Sequence, residues 1–214
     1  MRPTFPRTAV VRALCVFLLL SSAPPCLAEE ATGKRKGFPS LFKSFPNLRG
    51  KERNRPADEA PTGSRCSPAE ARTLIEFHNR VRAEVRVGEI SWSETIAAFA
   101  QERAETIART RRLAHLTRGQ NPYGENLALG GGVGFGVAAA CEGWYAERAR
   151  MPPGANLLTA SLFARGVGHY TQMVWGETAR IGAGIARYEE GGMTMTVVVC
   201  CYDPPGNRIG GTIR

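Results

Sequence analysis

Lysine is nearly missing from this chain: there are four, Lys34, Lys36, Lys43 and Lys51, and none after position 51. All later positive charge is arginine. Residues 1–28 carry Arg2, Arg7 and Arg12, a net +3. Residues 29–65 hold nine basic and five acidic side chains, a net +4. Residues 66–214 hold sixteen arginines against fourteen acids, a net +2. The overall +9 is therefore concentrated outside the C-terminal two-thirds, which excludes a basic nucleic-acid footprint on that part. No apolar run is long enough to span a bilayer as a helix. The 24 glycines and 14 prolines follow no period, so a collagen-like chain is excluded. There is no Asn-x-Ser/Thr acceptor for N-glycans, and no G-x-S-x-G nucleophile turn. Histidine is scarce as well, so imidazole chemistry is confined to His78, His115 and His169. What remains, 214 residues with 43% hydrophobic side chains, suffices for one ordinary domain with a sizeable core.

The N-terminus predicts export. The three early arginines precede an apolar stretch, Ala13 to Leu20, and a helix-breaking segment ending Cys26-Leu27-Ala28. Small residues at the −3 and −1 positions predict cleavage after Ala28, so residues 1–28 read as a signal peptide and the mature protein as secreted. Cys15 and Cys26 would leave with the signal. Four mature cysteines remain, Cys66, Cys141, Cys200 and Cys201, an even count that predicts two disulfides in an exported domain. Residues 29–65, rich in proline, glycine and charge, read as a basic disordered linker or pro-segment. Within it Phe38-Pro39-Ser40-Leu41-Phe42 is echoed by Phe45-Pro46-Asn47-Leu48, and Lys34-Arg35-Lys36 offers a cut site.

Residues 66–214 read as the folded domain. Ser67-Pro68-Ala69-Glu70 forms a capping box with proline at the first helical position. Leu74, Phe77, His78, Val81 and Val85 follow at helical spacing. A second helix is predicted after Trp92, capped by Ser93, with Ile96, Phe99, Ala100, Arg103, Ala104 and Ile107 on one face. A third runs from about Val137 to Arg150. Gly134-Phe135-Gly136-Val137-Ala138-Ala139 matches G-x-G-x-x-A in form, but no strand is predicted before it. The Gly130–Gly136 run is read as a flexible loop with Phe135 at its apolar tip. Strands are predicted at Tyr170–Trp175, Ile181–Tyr188 and Met193–Tyr202, with Glu189-Glu190-Gly191-Gly192 as the hairpin turn. Helices first and an antiparallel sheet last predict an α+β fold.

Gly168-His169-Tyr170-Thr171-Gln172-Met173-Val174-Trp175 with Thr178 closely resembles a signature of the CAP superfamily, which comprises cysteine-rich secretory proteins, antigen 5 and pathogenesis-related class 1 proteins. Three further runs resemble it in the same order: His78-Asn79 with Arg82; Gly124-Glu125-Asn126-Leu127; and Cys200 with Tyr202-Asp203-Pro204-Pro205-Gly206-Asn207. The resemblance covers about Cys66 to Asn207 and implies a three-layer α-β-α sandwich around a mainly antiparallel sheet. Two departures stand out. Cys201 replaces a residue that is usually polar, and Val167 stands where many members have cysteine, so the family's disulfide pattern does not transfer. Neighbouring strand residues face opposite sides, so Cys200 and Cys201 should point to different layers, and Cys66 and Cys141 could each take one.

The resemblance also implies a central cleft lined by His115, Glu125, Glu147 and His169. Two imidazoles and two carboxylates in one concavity can coordinate zinc or another divalent cation; a metal-free His–Glu network is the alternative. His78, Asn79, Arg82 and Asn126 read as structural, His78 because it shares a stripe with Leu74 and Val81. The function implied is binding of a lipid, a sterol or an extracellular protein partner, with Gly130–Gly136 or Met151–Phe163 as the mobile, apolar side of a groove. The alternative is a secreted metal-dependent or serine-type hydrolase using the same four residues, with Thr171 or Ser161 as the nearest hydroxyls.

Overall fold

The computed structural model describes residues 62–117 and 119–214; the predicted export signal and almost all of the predicted basic linker lie outside the described residues. Helices α1 (Pro68–Glu84) and α2 (Glu94–Thr110) are the two amphipathic segments of the sequence. The Ser67 hydroxyl accepts from the Glu70 N–H, and the Glu70 carboxylate accepts from the Ser67 N–H, which closes the capping box. Ser93 caps α2 in the same manner, accepting from Ile96. Between them, β1 (Ser91–Trp92) is only two residues long. After α2 come β2 (Gly124–Gly131), α3 (Val137–Ala146) with a 3₁₀ turn over Glu147–Arg150, α4 (Ala160–Phe163), α5 (Gly168–Met173), β3 (Arg180–Glu190) and β4 (Met193–Asp203).

The strands form one sheet in the order β1-β3-β4-β2; β1 runs parallel to β3 and the other pairs are antiparallel. The antiparallel register sets two rows. Glu125, Cys201 and Gly182 lie side by side, as do Asn126, Cys200 and Ala183. Alternation sends these rows to opposite faces. One face packs against α1, α3 and α5 through Leu74, Val81, Cys141, Trp144, Met173, Ile185, Val198, Cys200 and Tyr202. The other packs against α2, the one helix on that face among the described residues, through Ile96, Ala100, Ala104, Ile107, Val197, Val199 and Cys201. That is the three-layer α-β-α sandwich. Helix α2 sits close to the sheet because Gly182 and Gly184 have no Cβ: one built there would fall on the backbone of Ala97 or Gln101.

Several elements differ from expectation. Tyr170–Trp175 is not a strand; α5 covers Gly168–Met173, and all six of its residues are buried. An all-round buried segment shows no period, so β-favouring side chains mislead there. The Thr171 hydroxyl bonds back to the carbonyls of Val167 and Gly168, consistent with a helical turn. Gly124–Gly131 is a strand despite three glycines, because β4 supplies a long partner. A strand and a helix therefore do flank Gly134–Gly136, but the strand pairs antiparallel, so no βαβ unit forms. Phe135 is not an exposed tip: it is buried and covers Gly130, while Val133 is fully exposed. Leu158 and Leu162 are core residues, leaving Leu157 half-exposed in the Met151–Phe163 segment.

The pairing of Cys66 and Cys141 one each with Cys200 and Cys201 does not fit the layers. Cys200 and Cys201 do face different layers, but Cys66 and Cys141 both lie on the Cys200 side. Cys201 has no cysteine on its face among the described residues, and all four are buried free thiols in this structure. Packing also begins before Cys66: the Trp92 indole donates to the Thr62 carbonyl, and the Arg65 N–H donates to Gln101.

Candidate functional site

Glu125 is on β2, an edge strand, and its neighbour Asn126 faces the opposite layer. A cleft at this end of the sheet can therefore draw groups from both sides. From the α2 side comes Arg103, whose Nε donates to Glu125 Oε2 at 3.0 Å and whose Nη2 donates to the Ala114 carbonyl at 2.8 Å. Arg103 thus ties the segment that precedes His115 to the carboxylate that His115 uses. His115 Nδ1 donates to Glu125 Oε1 at 2.9 Å. Burial acts to raise the Glu125 carboxyl, but the hydrogen bonds from His115 and Arg103 outweigh it and hold the group below its ordinary value.

From the other layer, α5 brings His169 and the 3₁₀ turn brings Glu147. His169 Nδ1 donates to Glu147 Oε1 at 2.8 Å. The other oxygen of Glu147 accepts the main-chain N–H groups of His169 and Tyr170, at 2.8 and 3.2 Å. These are first-turn N–H groups of α5, otherwise unpaired within the helix, so the carboxylate both caps the helix and fixes the ring. Arg150 lies 3.3 Å from the same carboxylate. Trp144 stacks on His169 with centroids 6.3 Å apart, and its indole N–H donates to Leu127. Asn126 donates to the His169 carbonyl.

The result is two His–Glu pairs facing each other, with the imidazole centroids 6.5 Å apart. His169 is buried, and the His115 side chain is 37% exposed, so the cleft opens on the His115 side. Each ring spends Nδ1 on its carboxylate, leaving both Nε2 atoms without a hydrogen-bond partner among the described residues. Among those residues no group of three or more His, Cys, Asp or Glu side chains is placed to hold a metal ion. The four residues meet in one cleft, with each carboxylate bonded to Nδ1 of a ring. What fits a divalent cation is a half-site of two imidazole nitrogens, with the carboxylates orienting the rings from behind. Arg103 and Arg150 already offset the two carboxylate charges, which weakens such a half-site further.

Arg103 and Trp144 were not singled out as cleft residues by the sequence. Arg103 left a signal: an arginine on a helix face otherwise built of isoleucine and alanine needs a buried acid. Trp144 left none, because a core tryptophan on α3 looks the same whether or not it touches a histidine.

His78, Asn79, Arg82 and Asn126 sit behind the cleft. His78 Nδ1 bonds the Leu74 carbonyl, an acceptor only, so Nδ1 carries the hydrogen and Nε2 accepts from the Tyr202 hydroxyl at 2.9 Å. Asn126 in turn donates to Tyr202. Burial pushes the His78 imidazole down to about 4. Arg82 donates to the carbonyls of Gly88, Met173, Trp175 and Thr178, closing the C-terminal end of α5. Asn79 makes a reciprocal pair with the main chain of Ile90. Of the hydroxyls considered as nucleophiles, Thr171 is committed to Val167, Gly168 and Asn207, and Ser161 to Thr159; neither bonds an imidazole.

A family model described as "CAP: Cysteine-rich secretory protein family" matches residues 75–202. A pathogenesis-related protein of PR-1 type from Sambucus nigra is 39% identical over 136 residues, covering 64% of this chain and 77% of its own length. A pathogenesis-related protein 1 from Arabidopsis thaliana is 38% identical over 149 residues, covering 70% and 83%. Among solved structures, BmVAL-1 superposes with a TM-score of 0.59 at 24% identity, over 71% of this chain and 84% of that one. NaASP2, whose crystal structure was determined with Zn2+, gives a TM-score of 0.55 at 31% identity, over 67% and 84%. With a family match across more than half its length, and a sandwich shared with these structures, the chain belongs to the CAP family of cysteine-rich secretory proteins.

Proposed function

We propose that this is an exported CAP-domain protein that acts by binding, with the cleft between His115 and His169 as its ligand site. The observation that carries the reading is the pair of imidazoles, each oriented through Nδ1 by a buried carboxylate and each with Nε2 unpartnered among the described residues. Two such nitrogens can hold a divalent cation, zinc first among them, with water or a ligand oxygen completing the shell. A bound cation would supply a positive centre for an oxygen-bearing ligand, the headgroup of a lipid or sterol or a side chain of an extracellular protein partner. Glu125 and Glu147 keep the rings in place, Arg103 and Arg150 keep the carboxylates in place, and Trp144 walls the buried side. Export is supported by the predicted signal and by the family to which the chain belongs. No helix among the described residues is long and apolar enough to cross a membrane.

The test is zinc titration of the purified secreted protein by calorimetry, followed by retention of labelled cholesterol or palmitate with and without zinc. One zinc per chain is expected, lost in His169→Ala and weakened about 10–100-fold in Glu147→Gln, the usual cost of removing a carboxylate behind a ligating histidine. Zinc binding that His169→Ala leaves unchanged would refute the cleft as its site. Peptide cleavage abolished by His169→Ala, with neither lipid retained, would favour the hydrolase.

A further inference from the structure

The sheet has a second open edge, away from the cleft. β1 pairs with β3 only at Arg180 and Ile181, so beyond Ile181 the outer side of β3 has no neighbouring strand among the described residues. Which residues face that side is fixed by their contacts. The Ser93 N–H donates to the Ile181 carbonyl. The Cys66 thiol donates to the Ala183 carbonyl. The Gln101 amide pairs with both the N–H and the C=O of Ile185. Arg111 reaches the Glu189 carbonyl at 3.4 Å. Odd-numbered residues thus point outward, and side chains stand in for a strand at 183 and 185. By the same alternation Arg187 presents its N–H and C=O, and Glu189 its N–H, to the open side. These groups have no partner among the described residues.

Beside this opening runs a groove of about 340 Å³ between α2 and β3, lined by Arg65, Glu105, Ala108, Arg109, Arg187 and Tyr188. Arg65 is paired with Glu105 at 2.9 Å. Arg109 and Arg187 are exposed and have no carboxylate partner among the described residues. Among the described residues, free main-chain donors and acceptors flanked by the guanidiniums of Arg109 and Arg187, with the Glu189 carboxylate accepting from the Thr194 hydroxyl, match an extended, acidic chain. A second copy of this protein fits poorly, because edge-to-edge pairing here would bring the arginines of the two copies together.

We propose that the β3 edge at Arg187–Glu189 is a peptide-docking site that takes an extended acidic segment of another protein as an added strand. The main chain supplies the pairing, and Arg109 and Arg187 select the acidic side chains. This site is independent of the His115–His169 cleft and stands or falls without it.

The experiment uses the secreted protein and a fluorescein-labelled synthetic peptide of alternating Glu and Val, read by fluorescence anisotropy. Binding is expected for this peptide and not for its Lys–Val counterpart, with amide exchange slowed at Arg187 and Glu189. Methylating alternate peptide nitrogens should abolish it, and Arg187→Pro, tolerated on an outward edge position, should weaken it about tenfold or more, because both the Arg187 N–H and its guanidinium are lost. Arg109→Glu should remove the preference for the acidic peptide. Equal binding of the N-methylated peptide would overturn the proposal without any variant. So would capture of a heparin-type oligosaccharide instead, with no protection at the two amides, or concentration-dependent dimers protected at this edge.

Discussion

Acidification should remove about 3 kcal/mol of native stability through one side chain, His78. Its ring is fully buried, with Nδ1–H held by Leu74 and Nε2 accepting from Tyr202, so a second proton would set an N–H against the tyrosine hydroxyl. In the folded chain the imidazole sits at about 4, against the ordinary 6.5 that it regains on unfolding. The unfolded state therefore binds a proton that the native state refuses. Stability from this group is full above pH 6.5, falls as the pH drops from there to about 4, and changes no further below. At about 1.4 kcal/mol per unit the loss reaches about 2 kcal/mol at pH 5 and about 3 kcal/mol at pH 4. Urea unfolding at fixed ionic strength across this range measures it. His78→Gln is the control: it can keep a bond to Tyr202, costs on the order of 1 kcal/mol through the lost Leu74 bond, and does not titrate. Its stability curve should run flat relative to wild type between pH 6.5 and 4. Glu125, held below its ordinary 4.5, loses its contribution only below that pH, so most of the His78 window lies clear of it. Parallel curves for wild type and His78→Gln, or a ring titrating near 6.5 by NMR, would refute the account.

Non-reducing mass mapping should find at most one internal bridge, drawn from Cys66, Cys141 and Cys200, with Cys201 always a thiol; a Cys201 bridge would overturn the two-layer placement. Burial pushes the thiols up, Cys66 to about 11 and Cys200 to about 12, so those left unbridged should resist iodoacetamide at pH 8 until urea is added. Arg82→Met should cost about 3 kcal/mol or more in chemical denaturation, since four carbonyls lose their donor. Gly184→Ala should cost about 1–3 kcal/mol and lower the thermal midpoint, because the added methyl meets the α2 backbone; an unchanged midpoint would mean that the helix can shift.

Local chemistry was legible in the chain. The capping box at Ser67, the cap at Ser93, the stripes of α1 and α2 and the β-branched run of β4 are short-range signals, and each element stands where those signals fall. Four ordered motifs carried the family, and with it the layered sandwich. Burial on every side erased the signal of α5, and glycine hid β2, because periodicity needs one solvent face and propensity needs side chains.

The sequence by itself determined which groups are available: three imidazoles, four thiols in the domain, and an arginine on an apolar helix face. Only the tertiary structure decided how they are used. Edge-strand alternation sends Glu125 and Asn126 to opposite layers, and the register places Cys66 and Cys141 with Cys200 and away from Cys201. Nδ1 of each cleft histidine goes to a carboxylate from another element, and a two-residue β1 leaves Arg187 on an open edge. Such outcomes depend on contacts between residues far apart along the chain. Those contacts form only when the sheet closes its register, and no local pattern encodes that register.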